Sequence, residues 1–214
     1  MAEICPTITV ESKIEYERQL SNVSAFAKRI HIDLADGVFA PRPLLDVSAM
    51  SWSQEMQIDL HVMYQRPDRV IDNLDRAYKP GLVIVHAEAE GDFLALAFKL
   101  KQLGIKCGVA LMQTTEPALI KPVIGLVDHV LIFSGNLGYQ GGSSANLNLL
   151  DKIKALKEWK PKLEIGWDGG VDDHNIIDLV KGGVDVINVG GYIQSAKEPE
   201  RAYAKLRTAL EGSE

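Results

Sequence analysis

Cysteine is scarce in this chain, and two other features of proteins that leave the cytoplasm are missing from it. Only Cys5 and Cys107 occur among 214 residues, which is too few, and too far apart, for the disulfide framework of a secreted domain. No apolar run is long enough to span a bilayer, and the first residues lack the basic and apolar regions of a signal peptide. We therefore expect a cytoplasmic protein with reduced thiols.

The chain also has fewer positively charged than negatively charged residues. The chain has 23 Lys and Arg against 29 Asp and Glu, a net charge of −6, which argues against nucleic acid or an anionic membrane as a partner. A small anionic substrate remains compatible, because one local site can be positive in an acidic protein. Since 46% of the residues are hydrophobic, we expect residues 1–214 to form a single domain with a substantial core, and we expect a homo-oligomer.

Short apolar strands alternate with helical patterns along the whole chain. The predicted strands are 4–10, 30–34, 56–62, 81–86, 106–111, 129–133, 162–167 and 185–189, and the predicted helices are 12–29, 67–77, 92–103, 116–125, 147–159, 175–181 and 198–210. This alternation predicts an α/β fold, a single-domain (β/α)₈ TIM barrel. A doubly wound open sheet is the alternative, but no G-x-G-x-x-G motif follows the first strand.

The polar residues of the predicted strands cluster where the strands end. His31 and Asp33 lie two apart on one strand and therefore share a face, which taken alone indicates only a structural hydrogen bond. His61 lies near the end of the next strand, however, and Asp168 directly follows the seventh. Because barrels carry their chemistry at the carboxyl ends of the strands, these four residues predict a site for one divalent metal ion, with zinc, iron, manganese and cobalt as candidates.

The three remaining histidines fall at less informative positions. His86 ends the fourth strand at the barrel rim, where support of a metal ligand and contact with a substrate are both open. His129 begins a strand at the opposite end of the barrel, and we interpret it as structural. His174 follows two aspartates and is interpreted as part of a helix start.

Glycine recurs in the last three loops after strands. These residues are Gly138, Gly141, Gly142, Gly169, Gly170, Gly190 and Gly191. Glycine lets backbone amides approach an anion closely, and barrels often bind phosphate at the loops after strands seven and eight. The loops therefore predict a phosphate site opposite the metal site, with a small phosphorylated sugar between the two.

Taken in order, the motifs resemble those of the ribulose-phosphate 3-epimerase family. They are Pro6-Thr7-Ile8, His31-Ile32-Asp33 with Asp36-Gly37, Asp59-Leu60-His61-Val62-Met63, Val85-His86-Ala87-Glu88-Ala89, Asn136-Leu137-Gly138-Tyr139 and Asp168-Gly169-Gly170. The resemblance implies a ribulose-phosphate-binding barrel in which His31, Asp33, His61 and Asp168 bind a divalent metal. It also implies that Asp33 and Asp168 are the acid and base of a 3-epimerisation, by default of D-ribulose 5-phosphate to D-xylulose 5-phosphate through a cis-enediolate.

The pocket lining departs from the family pattern, although Met63 is retained. The changed positions are Val10, Ala35, Phe133, Leu137, Gln140 and Gly191. These changes leave three alternatives open: epimerisation of a longer ketose phosphate, an aldolase or decarboxylase on the same barrel, and a non-catalytic sugar-phosphate-binding protein. The aldolase or decarboxylase would want a lysine among the carboxylates of the second and third strands, and the chain has none there.

Overall fold

A computed structural model of the chain describes residues 2–74 and 79–212. In it eight parallel strands close into a barrel, each paired with the next in chain order and the last with the first. The strands are β1 (Glu3–Ile8), β2 (Arg29–Ala35), β3 (Gln57–Met63), β4 (Leu82–His86), β5 (Lys106–Leu111), β6 (His129–Phe133), β7 (Glu164–Asp168) and β8 (Val186–Val189). The predicted (β/α)₈ barrel is confirmed.

Helices connect the strands around the outside of the barrel. They are α1 (Lys13–Ser24), α2 (Asp68–Asp72), α3 (Phe93–Leu103), α4 (Asp151–Trp159), α5 (Ile176–Lys181), α6 (Gly191–Gln194) and α7 (Pro199–Glu211), with 3₁₀ helices at Val47–Ala49, Pro117–Leu126 and Leu147–Leu150. Within the described ranges, no helix combines the length and the apolar character that crossing a membrane requires.

Several predicted boundaries differ from the observed ones. The segment predicted as an α-helix over 116–125 is a 3₁₀ helix with Pro122 inside it; proline lacks the backbone N–H that an α-helix needs at this position. Helix α1 ends at Ser24, five residues before the predicted end. Helix α2 ends at Asp72, and residues 75–77 of its predicted span lie outside the described residues.

Helix α3 shows how local sequence sets an element that covers the barrel. The Asp92 side chain accepts a hydrogen bond from the Ala95 N–H and caps the start, and Gly104 ends the helix in the left-handed conformation at φ 66°. Such caps satisfy backbone groups that a helix leaves unpaired at its ends. Leu96 and Leu100 are buried on one face, and with this face α3 packs against the sheet at β5.

Alternation along β2 places its polar residues inside the barrel. Ile30, Ile32 and Leu34 are fully buried in the core between strands and helices. Successive strand residues point to opposite faces, so His31 and Asp33 point into the barrel. The strands end at matching depth, because Asp33 pairs in register with His61.

The opposite end of the barrel holds a charge network around Arg29. Its Nε lies 2.6 Å from Asp59 Oδ2, and its two terminal nitrogens reach Glu3 Oε2 at 3.0 Å and Glu164 Oε2 at 2.8 Å. His129 Nδ1 lies 2.7 Å from the same Glu164 oxygen. His129 therefore has the structural surroundings expected for it, at the end of the barrel away from the strand ends that carry His31 and Asp33.

Candidate metal centre and substrate pocket

Four side chains from three strands meet inside the barrel mouth. His31 and Asp33 come from β2, His61 from β3, and Asp168 is the last residue of β7 rather than the first after it. All four are buried, and one ligand atom from each lies within 4.8 Å of the others. The structure thus brings together the complete predicted ligand set.

The distances between these atoms suit a small cation. Asp33 Oδ1 lies 2.9 Å from His61 Nδ1 and 3.3 Å from His31 Nε2. Asp168 Oδ2 lies 3.8 Å from His61 Nδ1 and 4.0 Å from His31 Nε2. A tetrahedral ion at about 2.1 Å from each ligand separates its ligands by roughly 3.4 Å. The four side chains are therefore close enough to hold one small cation between them.

His31 supplies an independent test of this fit. Among the described residues, neither of its ring nitrogens has a hydrogen-bond partner, although the side chain is fully buried. Nε2 is close to Asp33 Oδ1 but does not meet it in hydrogen-bonding geometry. An unpaired buried polar atom costs free energy, and a cation between the imidazole and the two carboxylates would satisfy this one. The donor set of two imidazoles and two carboxylates fits a divalent ion.

Burial and neighbouring charges separate the proton affinities of the two carboxylates. Burial raises the pKa of Asp33, but the imidazoles of His31 and His61 outweigh it and hold that pKa well below its usual range. Burial, together with the nearby charge of Asp33, raises the pKa of Asp168. Burial also lowers the pKa of His61 to about 4. The site therefore combines one ionised carboxylate, one that accepts a proton readily, and a neutral imidazole.

Thr9 makes a contact with Asp33 that the sequence did not predict. Its hydroxyl donates a hydrogen bond of 2.6 Å to Asp33 Oδ2, which leaves Oδ1 facing His31 and His61. Thr9 lies two residues after Thr7, which lines the same pocket. This spacing is the one signal in the sequence that relates Thr9 to the site.

A pocket of about 240 Å³ opens above Asp33 and Asp168. Its lining includes Met63 and every glycine expected at the phosphate site: Gly138, Gly141, Gly142, Gly169, Gly170, Gly190 and Gly191. The loops after β6, β7 and β8 therefore surround one cavity whose floor carries the two carboxylates.

These glycines do not all serve the same purpose. A Cβ on Gly169 would lie 2.1 Å from the backbone nitrogen of Gly135, and one on Gly170 would lie 2.1 Å from that of Ala145. Both residues also have positive φ, 112° and 71°. Gly169 and Gly170 are therefore needed for the loops to pack against each other. At Gly142 a Cβ would meet nothing within 4 Å, although its φ of 75° also favours glycine.

The residues that depart from the family pattern have defined contacts. The Phe133 ring lies 5.4 Å from that of His61 and meets His86 edge-on at 5.5 Å. The Gln140 amide donates to the Thr7 carbonyl at 3.0 Å. Ala35 belongs to a small apolar cluster with Met63, and Leu137 packs against that cluster. Of the changed residues, Phe133, Gln140 and Gly191 line the pocket, and His31, Asp33, His61 and Asp168 remain together beneath it.

His86 contacts His61 rather than the pocket above Asp33 and Asp168. Its Nε2 lies 2.9 Å from His61 Nε2, and its Nδ1 lies 3.3 Å from Glu88 Oε2. Of the two roles left open for it, the structure favours support of His61. The backbone N–H of His174 donates to Asp172 Oδ1 at 2.9 Å in the turn before α5, as expected for a helix start.

Solved structures share this fold at low sequence identity. The structure of KGPDC from Streptococcus mutans superposes with a TM-score of 0.73 at 12% identity, covering 99% of this chain and 98% of that one. A 3-hexulose-6-phosphate synthase superposes with a TM-score of 0.69 at 21% identity, covering 97% of this chain and 99% of that one. At these identities the likeness concerns the barrel alone.

Sequence comparisons are more specific. Residues 3–194 match the ribulose-phosphate 3 epimerase family. The ribulose-phosphate 3-epimerase of Helicobacter pylori is 29% identical over 212 residues, covering 96% of each chain. That of Bacillus subtilis is 29% identical over 217 residues, covering 97% of this chain and 99% of the relative. That of Aquifex aeolicus is 28% identical over 201 residues, covering 91% and 90%. The chain therefore belongs to the ribulose-phosphate 3-epimerase family of isomerases.

Proposed function

We propose that the protein is a divalent-metal-dependent ketose-phosphate 3-epimerase that interconverts D-ribulose 5-phosphate and D-xylulose 5-phosphate. The observation that carries this proposal is the pairing of Asp33 and Asp168 at the floor of a pocket with glycine-rich walls. Their carboxylates lie within one cluster, and their environments separate their proton affinities. Membership of the family supports the same reaction.

Inversion at C3 needs a proton removed from one face of the carbon and another delivered to the opposite face. One carboxylate takes the proton, which is acidic because C3 adjoins the ketone, and the other gives a proton to the planar enediolate. Asp33, held ionised, suits the base, and Asp168, with its raised pKa, suits the acid. In the reverse direction the two exchange roles. Because the groups are coupled, the pair has shared macroscopic pKa values.

His31, Asp33, His61 and Asp168 would hold the metal. A divalent ion bound there would act as a Lewis acid and stabilise the negative charge that develops on the substrate oxygens. The glycine loops after β6, β7 and β8 would hold the phosphate through backbone N–H groups, and Met63 would line the side of the pocket. The substrate then lies between an anion site and a cation site, with C3 above the carboxylates.

The first prediction concerns metal content. Protein purified without added metal is expected to contain about one divalent ion per chain, from among zinc, iron, manganese and cobalt, by elemental analysis. His61→Ala should lose the ion, since it removes a nitrogen from the coordination shell. His174→Ala is the matched control because His174 is exposed, and it should retain the ion. A wild-type protein without metal, and without activity gained from adding any, would refute the metal site.

The second prediction concerns the phosphate site. Gly191→Val is expected to raise KM for ribulose 5-phosphate by about 10–100-fold, the cost of one charge-assisted hydrogen bond, with metal content unchanged. Gly191 is a better test than Gly169, because the backbone atoms nearest to its Cβ would be Gly141 Cα at 3.0 Å and N at 3.6 Å, whereas a Cβ at Gly169 would lie 2.1 Å from the Gly135 nitrogen. Gly125→Val, at an exposed glycine with no atom within 4 Å of its Cβ, is the control. Loss of metal with KM unchanged would contradict the assigned geometry.

Turnover itself distinguishes the alternatives. Metal-loaded protein is incubated with ribulose 5-phosphate, and the sugar phosphates are separated and quantified. Formation of xylulose 5-phosphate supports the proposal. Saturable binding without turnover supports a binding protein, and carbon–carbon bond cleavage supports an aldolase or decarboxylase. Turnover restricted to six-carbon ketose phosphates would keep the reaction and change the substrate.

A further inference from the structure

A line of hydrogen-bonding side chains leads from the predicted metal site to the outer rim of the barrel. Asp33 Oδ1 lies 2.9 Å from His61 Nδ1, and the remaining nitrogen of His61 lies 2.9 Å from His86 Nε2. The other nitrogen of His86 lies 3.3 Å from Glu88 Oε2. Two imidazoles therefore stand in series between two carboxylates, and both histidine side chains have no exposed surface.

The number of ring protons determines the direction of each hydrogen bond along this line. The line has three links, whereas two neutral imidazoles carry one N–H each, so one link must lack a proton. If His61 Nδ1 is a metal ligand, the missing proton belongs between His61 and Asp33. His61 Nε2–H then donates to His86 Nε2, and His86 Nδ1–H donates to Glu88.

Glu88 has one carboxylate oxygen available to accept a hydrogen bond from His86 at the outer end of the line. Its Oε1 accepts hydrogen bonds from the Met112 N–H at 3.1 Å and from the Thr115 hydroxyl, which leaves Oε2 for His86. Burial raises the pKa of Glu88, but the hydrogen bonds from His86, Thr115 and Met112 outweigh it and lower the pKa to about 2. The carboxylate is therefore charged at neutral pH and attracts the His86 proton.

Aromatic rings hold His86 in line. The Phe39 ring lies 4.8 Å from the His86 ring, and Phe133 meets it edge-on at 5.5 Å. These apolar neighbours leave His61 and Glu88 as its polar partners among the described residues. An imidazole confined in this way has two hydrogen bonds with fixed directions rather than a choice of partners.

We propose that His86 and Glu88 are positioning residues that hold His61 in the tautomer whose Nδ1 lone pair faces the metal site. This proposal rests on the metal site of the proposed function and adds the two groups that orient one of its ligands. Outer groups of this kind typically change metal affinity by about 10–100-fold when they are altered.

Glu88→Gln tests the proposal with little change in shape. Because Met112 N–H and Thr115 still require an acceptor, the amide oxygen takes the place of Oε1 and the amide NH₂ faces His86. His86 then accepts at Nδ1 and donates from Nε2, so His61 keeps its proton on Nδ1, where the metal should bind. Competition against a fluorescent chelator should show Zn²⁺ affinity reduced by about 10–100-fold.

Three further variants separate this effect from lost charge or lost packing. Glu90→Gln removes an equal charge two residues away on an exposed side chain that contacts Gln65 rather than His86, and Zn²⁺ affinity should stay within about twofold of wild type. His86→Leu should weaken Zn²⁺ binding as Glu88→Gln does. His86→Gln, which restores an acceptor for His61 Nε2–H, should recover most of the loss.

The ¹⁵N NMR shifts of His86 report its tautomer directly and do not depend on catalytic activity. In the Zn²⁺-loaded wild type, ¹⁵N shifts of His86 should show a protonated Nδ1 and an unprotonated Nε2, and in Glu88→Gln this assignment should reverse. Wild-type affinity in Glu88→Gln, or an unprotonated His86 Nδ1 in the Zn²⁺-loaded wild type, would overturn the positioning role while leaving the epimerase proposal intact. A wild type that binds no Zn²⁺ would instead overturn the metal site, and the positioning role with it.

Discussion

Asp168→Asn is expected to lower the epimerisation rate by about 10²–10⁴-fold, the contribution of a positioned acid or base. The amide has nearly the shape of the carboxylate but cannot deliver a proton to C3. Asp168 is also one of the four residues proposed to bind the metal. Loss of turnover alone would therefore not distinguish a lost acid from a lost metal ion. The measurement therefore needs variant protein shown by elemental analysis to retain its ion.

Heavy water resolves the individual roles. Product formed by the wild type in D₂O should carry deuterium at C3, because the delivered proton comes from a group that exchanges with solvent. Metal-loaded Asp168→Asn should still exchange the C3 proton of one epimer, since Asp33 remains on the other face, and Asp33→Asn should exchange that of the other epimer. Asp173→Asn, at a carboxylate paired with Lys205 outside the pocket, should epimerise normally. Full epimerisation by metal-loaded Asp168→Asn would leave Asp168 as a ligand only.

The barrel and its predicted metal site could be inferred from the sequence because one periodicity and one rule of barrel topology combine there. Period-2 alternation places His31 and Asp33 on one face, and a parallel barrel brings the carboxyl ends of its strands to one mouth. Once the strands are counted, His61 and Asp168 must join them. No side-chain detail was needed, since backbone topology alone determines which residues meet.

Other parts of the site depend on interactions that sequence spacing does not encode. The direction of His86 is determined by Glu88, Phe39 and Phe133, which come from three different segments. Gly169 appeared as one more phosphate-site glycine, yet its contact with Gly135 shows that loop packing also requires it. Such contacts are set by how separate loops fit together, and a single sequence gives no measure of that fit.

The network at the amino ends of the strands was missed for the same reason. Arg29, Asp59 and Glu164 lie in three different strands, and only the closed barrel brings them together.

Burial raises the pKa of Glu164, but hydrogen bonds from His129 and Arg29 outweigh it and hold the pKa below its usual range. A carboxyl with a lowered folded-state pKa stabilises the fold above its unfolded pKa, and this contribution is lost as the pH falls. Stability should therefore decline below about pH 4.5.

Arg29→Met is expected to lower the free energy of unfolding by about 3–5 kcal/mol, because it leaves Asp59, 1% exposed, as a buried charge without its main partner. Urea unfolding measures this change directly. Arg207→Met, which removes an exposed ion pair of 3.0 Å with Glu211, should cost at most about 1 kcal/mol. Arg29→Met combined with Asp59→Leu should recover much of the loss, since replacing both partners of a buried pair by apolar groups is often close to neutral.

The dependence of stability on pH gives that experiment a second readout. In Arg29→Met, Glu164 loses one of the two groups that lower its pKa, so the fall in unfolding free energy below about pH 4.5 should be smaller than in wild type. Zn²⁺ binding by the folded variant should not change, because the network lies at the end of the barrel opposite the metal cluster. If the free energy of unfolding of Arg29→Met at pH 7 equalled that of wild type, the network would not contribute to the stability of the barrel.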